Sequence, residues 1–117
     1  MDRTVHFLAF EEFSHANLVR CRESFHELED WSETDWACAM AGEVGEVCNL
    51  IKKRRRGELV DARAIAAELA DVVTYADLLA RRLDINLGMA VACKFNEVSE
   101  RVSSPIRLQY ELLAERE

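Results

Sequence analysis

Apolar residues recur every three or four positions along most of this chain, and no stretch alternates with the period of two that marks a strand. Only four glycines and one proline interrupt the pattern over 117 residues. It predicts four main helices, running from about Thr4 to Phe25, from the Ser32–Asp35 segment to about Arg55, from Asp61 to about Leu83, and from Asp84 or Asn86 to about Val102. We therefore expect an all-α fold, a bundle of four to five helices.

Polar residues and glycine mark where these helices begin and end. Ser32 together with Asp35, or Thr34 alone, is expected to cap the second helix, and Asp61 the third. Gly57 is expected to end the second helix, because glycine accepts the left-handed conformation common at that position. Residues 1–105 are then predicted to form one helical domain, and residues 106–117 a tail that is either a short helix or disordered.

Composition narrows the classes of function. The net charge of -7 argues against a general nucleic-acid-binding surface, which needs an excess of basic residues. The first residues lack the layout of a signal peptide, and no apolar run is long enough to span a membrane, so we expect a cytoplasmic protein. The cysteines, which we expect to be small buried residues in a reducing compartment, are Cys21, Cys38, Cys48 and Cys93.

Two pairs of acidic residues interrupt the apolar stripes. Glu43 and Glu46 are three residues apart on the second predicted helix, and Glu68 and Asp71 are three apart on the third, so each pair shares a face. At about 100° per residue, Glu43 and Glu68 fall inside the stripes and their partners border them. Buried unpaired carboxylates are costly, and a shared hard divalent cation, Mg²⁺ or Mn²⁺, is the simplest way to neutralise four of them.

Two other origins for these acids stay open at this level. They fit ordinary surface pairs, which are common on amphipathic helices, or a carboxylate-bridged redox metal site. A di-iron bundle would use Glu-x-x-His pairs, whereas the histidines here, His6, His15 and His26, all precede the acids and lack that spacing. The histidine positions therefore favour redox-inert Mg²⁺ over iron.

The acidic residues carry a resemblance to a known family. Gly42-Glu-Val-Gly-Glu46, a gap, and then Glu68-Leu-Ala-Asp71-Val resemble the metal motif of the MazG-like all-α nucleoside triphosphate pyrophosphohydrolases, within a phage-type, dCTPase-like branch. The resemblance extends from the first helix through Lys94-Phe-Asn-Glu-Val-Ser-Glu-Arg101. It implies a MazG-like bundle completed by assembly into a homodimer or homotetramer, with Mg²⁺ held by Glu43, Glu46, Glu68 and Asp71.

The activity that the resemblance implies is hydrolysis of a nucleoside triphosphate to the monophosphate and pyrophosphate. The substrate would be a deoxynucleoside or non-standard triphosphate, removed to clean the nucleotide pool. Water would attack the α-phosphorus, with cations lowering the pKa of the water and clamping the triphosphate. One of the four carboxylates would accept the proton, and we favour Glu46 because it borders its stripe.

Basic and polar residues near these acids are candidates for contacting the phosphates. Arg82 lies eleven residues after Asp71, about 20° away around the helix, and the resemblance places Arg82 and Lys94 on the triphosphate. Lys53 lies about two turns after Glu46 on the same face. The remaining candidates are Asn17 and Arg20, three apart on the first helix, and Arg101, seven residues after Lys94.

Aromatic residues near the acids predict a pocket that stacks a nucleobase. Trp36 lies two turns before Glu43 on the same face, and Tyr75 lies one turn after Asp71. The resemblance matches Trp31 and Tyr75 to pocket aromatics of the family. Flat rings there would stack a base with little discrimination between bases. Core packing is the alternative role for Trp36, and a hydrophobic staple is the alternative for Trp31.

A function of another class fits the same pattern. The apolar stripes of the second and third helices are wide, so a lone chain is expected to leave part of them uncovered and to form a homodimer or a dimer of dimers. The alternative function is a non-catalytic helical interaction module, in which the acids hold a structural ion or pair with bases across a dimer interface.

Overall fold

The computed structural model describes residues 7–110, and these residues form α-helices and one 3-10 turn but no strand. The helices are α1 (Phe10–Ser24), α2 (Glu33–Arg55), α3 (Ala62–Arg82) and α4 (Leu87–Arg101), and the 3-10 turn is Leu28–Asp30. The prediction of an all-α fold is confirmed. None of these helices is both long and apolar enough to cross a membrane.

Most helix ends fall where the capping residues predicted them. Ser32 and Asp35 form a capping box at the start of α2, in which the Ser32 hydroxyl accepts from the Asp35 N–H at 3.1 Å and the Asp35 carboxylate accepts from the Ser32 N–H at 2.9 Å. Asp61 caps α3 through its carboxylate. Asn86, not Asp84, caps α4, and Asp84 follows α3 with a positive φ of 56°.

Helix α1 begins later than the pattern indicated. Thr4, where the start was predicted, lies outside the described residues, and residues 7–9 are not helical. The first helical residue is Phe10, and the preceding Ala9 offers no side-chain oxygen as a cap. The apolar period continues through Phe7 and Phe10 without a capping residue, so the sequence held no polar marker for the observed start.

The first compact unit of the chain ends at Asp84 and is built on a helical hairpin. Helices α2 and α3 are joined by residues 56–61 and make the most extensive helix–helix contact of the described chain. A connection this short joins antiparallel neighbours. Gly57 lies in this connection with a φ of +89°, a conformation that a residue with a Cβ rarely adopts, and so ends α2 as predicted.

A small core holds α1 and the 3-10 turn against this hairpin. Trp36 is 2% exposed, and its Nε1 donates a hydrogen bond to the Leu28 carbonyl at 3.0 Å. The ring therefore buries a large apolar surface while its one polar atom is satisfied. The buried members of this core are Cys21, Leu28, Trp36 and Leu78.

The second unit begins at Ile85 and contains α4 and the segment that follows it. The Asn96 side chain donates to the Leu108 carbonyl at 2.9 Å and accepts from the Leu108 N–H at 2.8 Å. These two bonds tie the segment after Pro105 to α4. Residues 106–110 are not helical, and the rest of the predicted tail, 111–117, lies outside the described residues.

The cysteines differ from the prediction. Cys21 is buried, but Cys38, Cys48 and Cys93 are exposed. The expectation of four buried cysteines was wrong for these three, which lie on solvent-exposed parts of α2 and α4. Cys93 contacts the segment that follows α4, where its Sγ lies 3.4 Å from the Tyr110 hydroxyl.

We expect Trp36→Ala to lower the free energy of unfolding by about 3–5 kcal/mol, because it removes a fully buried ring and leaves a cavity. Trp36→Phe should cost about 1–3 kcal/mol, since most apolar contact is kept while the Leu28 carbonyl loses its donor. Urea unfolding followed by circular dichroism measures both. A Trp36→Ala protein as stable as Trp36→Phe would contradict the core role of Trp36.

Candidate metal centre and adjoining cavity

Three carboxylates meet where α2 packs on α3. Glu43 of α2 and Glu68 and Asp71 of α3 each offer an oxygen, and the three oxygens lie within 4.8 Å of one another. Glu43 and Glu68 are half-buried, and Asp71 is exposed. In each predicted pair, the acid expected inside the apolar stripe is thus more buried than its partner, although neither Glu43 nor Glu68 is fully buried. We call these three residues the carboxylate group.

The fourth predicted ligand, Glu46, lies outside the carboxylate group. It is exposed and about one turn further along α2 than Glu43. Its negative charge still acts on the group, because it contributes to the raised pKa of Glu43. The fold therefore brings together three of the four predicted ligands.

Crowded negative charge raises the pKa of the Glu43 carboxyl above its ordinary value near 4.5. The largest cause is the Glu68 carboxyl, which can share a hydrogen bond with a protonated Glu43 but not with a charged one. Partial burial adds to the shift, followed by the negative charges of Asp71, Glu68 and Glu46. A cation that replaces the shared proton would relieve this repulsion.

The donor set suits a hard divalent cation. Within residues 7–110, no lysine or arginine forms an ion pair with a member of the carboxylate group, so bases do not neutralise its charge. Carboxylate oxygens are the ligands that Mg²⁺ and Mn²⁺ prefer, and the group contains no histidine or cysteine. The residues therefore fit the ion expected from the sequence.

A cavity of about 280 Å³ adjoins the carboxylate group and is at the small end of the range for ligand pockets. Asp71 belongs to the carboxylate group and also lines the cavity, so the two features share a wall. The predicted substrate-binding residues that line the cavity are Asn17, Arg20, Trp31, Trp36 and Tyr75.

Part of the cavity wall is aromatic. The Trp31 ring centroid lies 4.7 Å from that of His26 and 4.6 Å from that of Trp36, and the Trp36 and Tyr75 centroids lie 6.3 Å apart. These are the spacings of packed aromatic pairs. Because Trp36 is buried in the core, the aromatic surface open to a ligand belongs to the half-buried Trp31, Tyr75 and His26 and to the exposed Phe25.

His26 and Phe25 line the cavity but were not among the predicted site residues. Nδ1 of His26 lies 2.8 Å from the Glu27 carbonyl oxygen. A carbonyl only accepts, so Nδ1 carries a hydrogen in this contact. His26 lies in a loop, where no hydrophobic period indicates which side chains face inward. In the sequence, only its position five residues before Trp31 could have suggested that it lines the cavity.

The basic residues of the first unit play different parts. Arg20 lines the cavity, whereas Arg82 donates from Nε to the Trp31 carbonyl at 3.0 Å. That bond commits one guanidinium donor to holding the loop that carries Trp31. Lys53 is exposed near the end of α2.

Lys94 and Arg101 lie on α4, in the second unit. Lys94 forms an exposed ion pair with Glu97 at 3.3 Å, and Arg101 is exposed at the end of the helix. Their predicted contacts with a triphosphate stay a prediction.

No protein-family model, curated protein or solved structure matches this chain. What the MazG-like resemblance implies therefore rests on the sequence motifs alone and stays a prediction.

We expect Mg²⁺ or Mn²⁺ to raise the melting temperature, and Glu43→Gln to remove most of that rise because a ligand is lost. Without metal, we expect Glu43→Gln to have the opposite effect and to raise the melting temperature at neutral pH. The folded pKa of Glu43 is raised, so the stability that this group contributes is present below about pH 4.5 and is lost as the pH rises through the folded pKa. In EDTA, Glu43→Gln should melt a few degrees above the parent at neutral pH, and the difference should vanish in acid.

Differential scanning fluorimetry across pH, with each ion and with EDTA, measures both effects. Glu100→Gln, which alters an exposed carboxylate of α4, is the charge-matched control and should leave both responses unchanged. A parent protein indifferent to millimolar Mg²⁺ and Mn²⁺, or an equal response in Glu43→Gln, would contradict the metal centre.

Proposed function

We propose that this protein hydrolyses a nucleoside triphosphate to the monophosphate and pyrophosphate and that it uses Mg²⁺, or Mn²⁺ in its place, as the metal cofactor. The substrate would be a deoxynucleoside triphosphate or a non-standard nucleoside triphosphate. The observation that supports this most directly is that Asp71 belongs both to the carboxylate group and to the wall of an aromatic cavity. A cation site for phosphates thus adjoins a pocket for a flat ring. In the cell, the reaction would remove unwanted nucleotides from the pool.

The carboxylate group would hold the cation through Glu43, Glu68 and Asp71. Bound there, the ion would supply a lowered water pKa and neutralised phosphate oxygens. Glu46 lies one turn away and outside the group, so we assign it to accept the proton of the attacking water. Such a proton acceptor has to keep a lone pair that no ligand bond occupies, and the exposed position of Glu46 meets that need.

The cavity would bind the nucleoside. Trp31 and Tyr75 offer partly open ring surface on which a base can stack, and base–aromatic stacking contributes about 1–3 kcal/mol. Arg20 lines the same cavity and offers a positive charge to a phosphate. Arg82 supports the pocket indirectly by fixing the carbonyl of Trp31.

We expect the purified protein with Mg²⁺ to release pyrophosphate and monophosphate from at least one member of a panel of common and modified nucleoside triphosphates. Glu43→Gln should lower kcat/KM on the order of 100-fold or more, because the cation and the transition-state charge lose a ligand. Ion-exchange chromatography of the products identifies the bond that is cleaved.

Glu100→Gln is again the matched control and should keep parental turnover. Diphosphate and inorganic phosphate as products would contradict attack at the α-phosphorus while leaving the metal centre in place. No turnover of any triphosphate by a folded, metal-responsive protein would refute the proposed reaction.

We also propose that a second copy of the chain covers part of α2 and α3. Val44 and Ile51 are seven residues apart on α2, and Leu69 and Val73 are four apart on α3, so each pair shares a helix face. All four side chains are exposed. Burying them against the same surface of another copy would give a homodimer, and a second contact surface between two such dimers would give a homotetramer.

We expect the parent to elute as a homodimer or homotetramer, and the double substitution Leu69→Lys with Val73→Lys to shift it toward monomer, because two charges would be buried in the interface. Size-exclusion chromatography with light scattering measures the mass. Val19→Lys, at an exposed apolar position of α1, is the control and should leave the mass unchanged. A monomeric parent would contradict the assembly.

The same exposed apolar residues favour the second candidate function, a non-catalytic helical interaction module in which the carboxylate group holds a structural ion. Calorimetric titration with a non-hydrolysable triphosphate and Mg²⁺ separates the two functions. Binding heat supports the hydrolase, whereas a folded protein that shows none supports the module.

A further inference from the structure

One buried carboxylate, Asp77 of α3, has no part in the proposed reaction. It is 1% exposed, and its two oxygens accept hydrogen bonds from two residues of α1. Ser14 Oγ donates to Oδ1 at 2.7 Å, and Asn17 Nδ2 donates to Oδ2 at 3.0 Å. Burying a carboxylate is costly, and apolar residues would hold two helices together as well or better. What a carboxylate adds over an apolar side chain is a pair of hydrogen bonds that fix the orientation of the groups that donate them.

The group that Asp77 orients is the side-chain amide of Asn17. Nδ2 of Asn17 donates to Asp77 Oδ2 and to the Thr74 carbonyl, at 3.0 Å in each case. Both partners only accept, so turning the amide over would place its oxygen against two other oxygens. The positions of the nitrogen and the oxygen of this side chain are therefore fixed by the bonds around them.

The remaining polar atom of this amide, Oδ1, faces no donor. It receives no hydrogen bond from residues 7–110. Since Nδ2 is engaged by two acceptors, Oδ1 is the atom of this side chain that has bonding capacity left for a ligand. Asn17 is 4% exposed and lines the cavity, so a ligand there can reach this side chain.

Arg81 supports the arrangement from behind. Its Nε donates a hydrogen bond to Ser14 Oγ at 2.8 Å, and the Ser14 hydroxyl in turn donates a hydrogen bond to Asp77. The positive charge offsets the buried negative charge through the serine. With both oxygens held from α1, the Asp77 carboxylate cannot rotate away from Asn17.

We propose that Asp77 is a positioning residue that turns the Asn17 amide so that its oxygen faces the cavity, which thereby selects ligands with a hydrogen-bond donor at that point. The identity of the ligand rests on the proposed function. In a nucleoside triphosphate, the donor is an N–H of the base or a hydroxyl of the sugar. A ligand with an acceptor there meets oxygen against oxygen and loses binding free energy.

Three pairs of triphosphates test this selection through kcat/KM with Mg²⁺. dCTP is compared with N4,N4-dimethyl-dCTP, dUTP with N3-methyl-dUTP, and dCTP with its 2′,3′-dideoxy analogue. The first two pairs remove a donor from the base, and the third removes the donor of the sugar. We expect the parent to prefer the donor-bearing member of at least one pair by about tenfold or more.

Asn17→Ala removes the oxygen, and Asp77→Ala removes its support, so both should abolish most of the preference. Ser14→Ala is the matched control. It breaks the bond to the other oxygen of Asp77 but leaves the bond from Asn17 to Oδ2, so it should lower the melting temperature and keep most of the preference. A merely structural role of Asp77 would predict the same behaviour for Ser14→Ala and Asp77→Ala. If Asp77→Ala does not fold, Asp77→Leu refills the space and takes its place.

The outcomes separate this inference from the proposed reaction. If the parent hydrolyses triphosphates without discriminating within any pair, or if Asp77→Ala and Asp77→Leu keep the discrimination, the inference fails and the reaction stands. If the parent hydrolyses none of the triphosphates, the proposed reaction is refuted. Calorimetric binding of the corresponding monophosphates then tests whether Asn17 selects ligands with a donor. A discrimination in binding that Asn17→Ala removes would support the inference, and absence of binding would overturn it.

Discussion

The packing of α2 against α3 is the constraint on which the rest of the structure depends. Glu43 is on one helix, and Glu68 and Asp71 are on the other, so only this hairpin brings their oxygens within 4.8 Å. A slip of either helix by one turn, about 5.4 Å, would separate the carboxylates beyond the reach of one ion. The same packing places Trp36 and Tyr75 beside each other and so forms one wall of the cavity.

That packing also forces like charges together. The pKa of the Glu43 carboxyl is raised because Glu68, partial burial and the charges of Asp71 and Glu46 all disfavour its charged form. Contacts elsewhere in the first unit offset this repulsion, above all the burial of Trp36 with its bond to the Leu28 carbonyl.

Asp77 and Glu43 are carboxylates of the same small helical unit, and their different neighbours give them different roles. Asp77 is fully buried, and neutral donors occupy both of its oxygens, so nothing is left for a ligand. Glu43 is only half-buried, and its nearest partners are other acids. The first arrangement fixes neighbouring groups in place, whereas the second calls for a positive charge from outside the chain.

The sequence by itself determined the helices and most of their ends, because hydrophobic period and capping chemistry are local. Ser32, Asp61 and Gly57 act where they were expected to act. It also identified the acids that interrupt the apolar stripes, since a stripe is a property of one helix. It missed the start of α1, where no polar residue marks the first turn.

Only the tertiary structure decided which of these residues meet. It drew Glu43, Glu68 and Asp71 together and left Glu46 outside, because the register between two helices depends on packing across the hairpin and not on spacing along either helix. It added His26 from a loop without periodicity, and it joined Asp77 to Asn17 across sixty residues of sequence. Contacts between distant segments follow from the summed fit of many side chains, which no local pattern in the chain records.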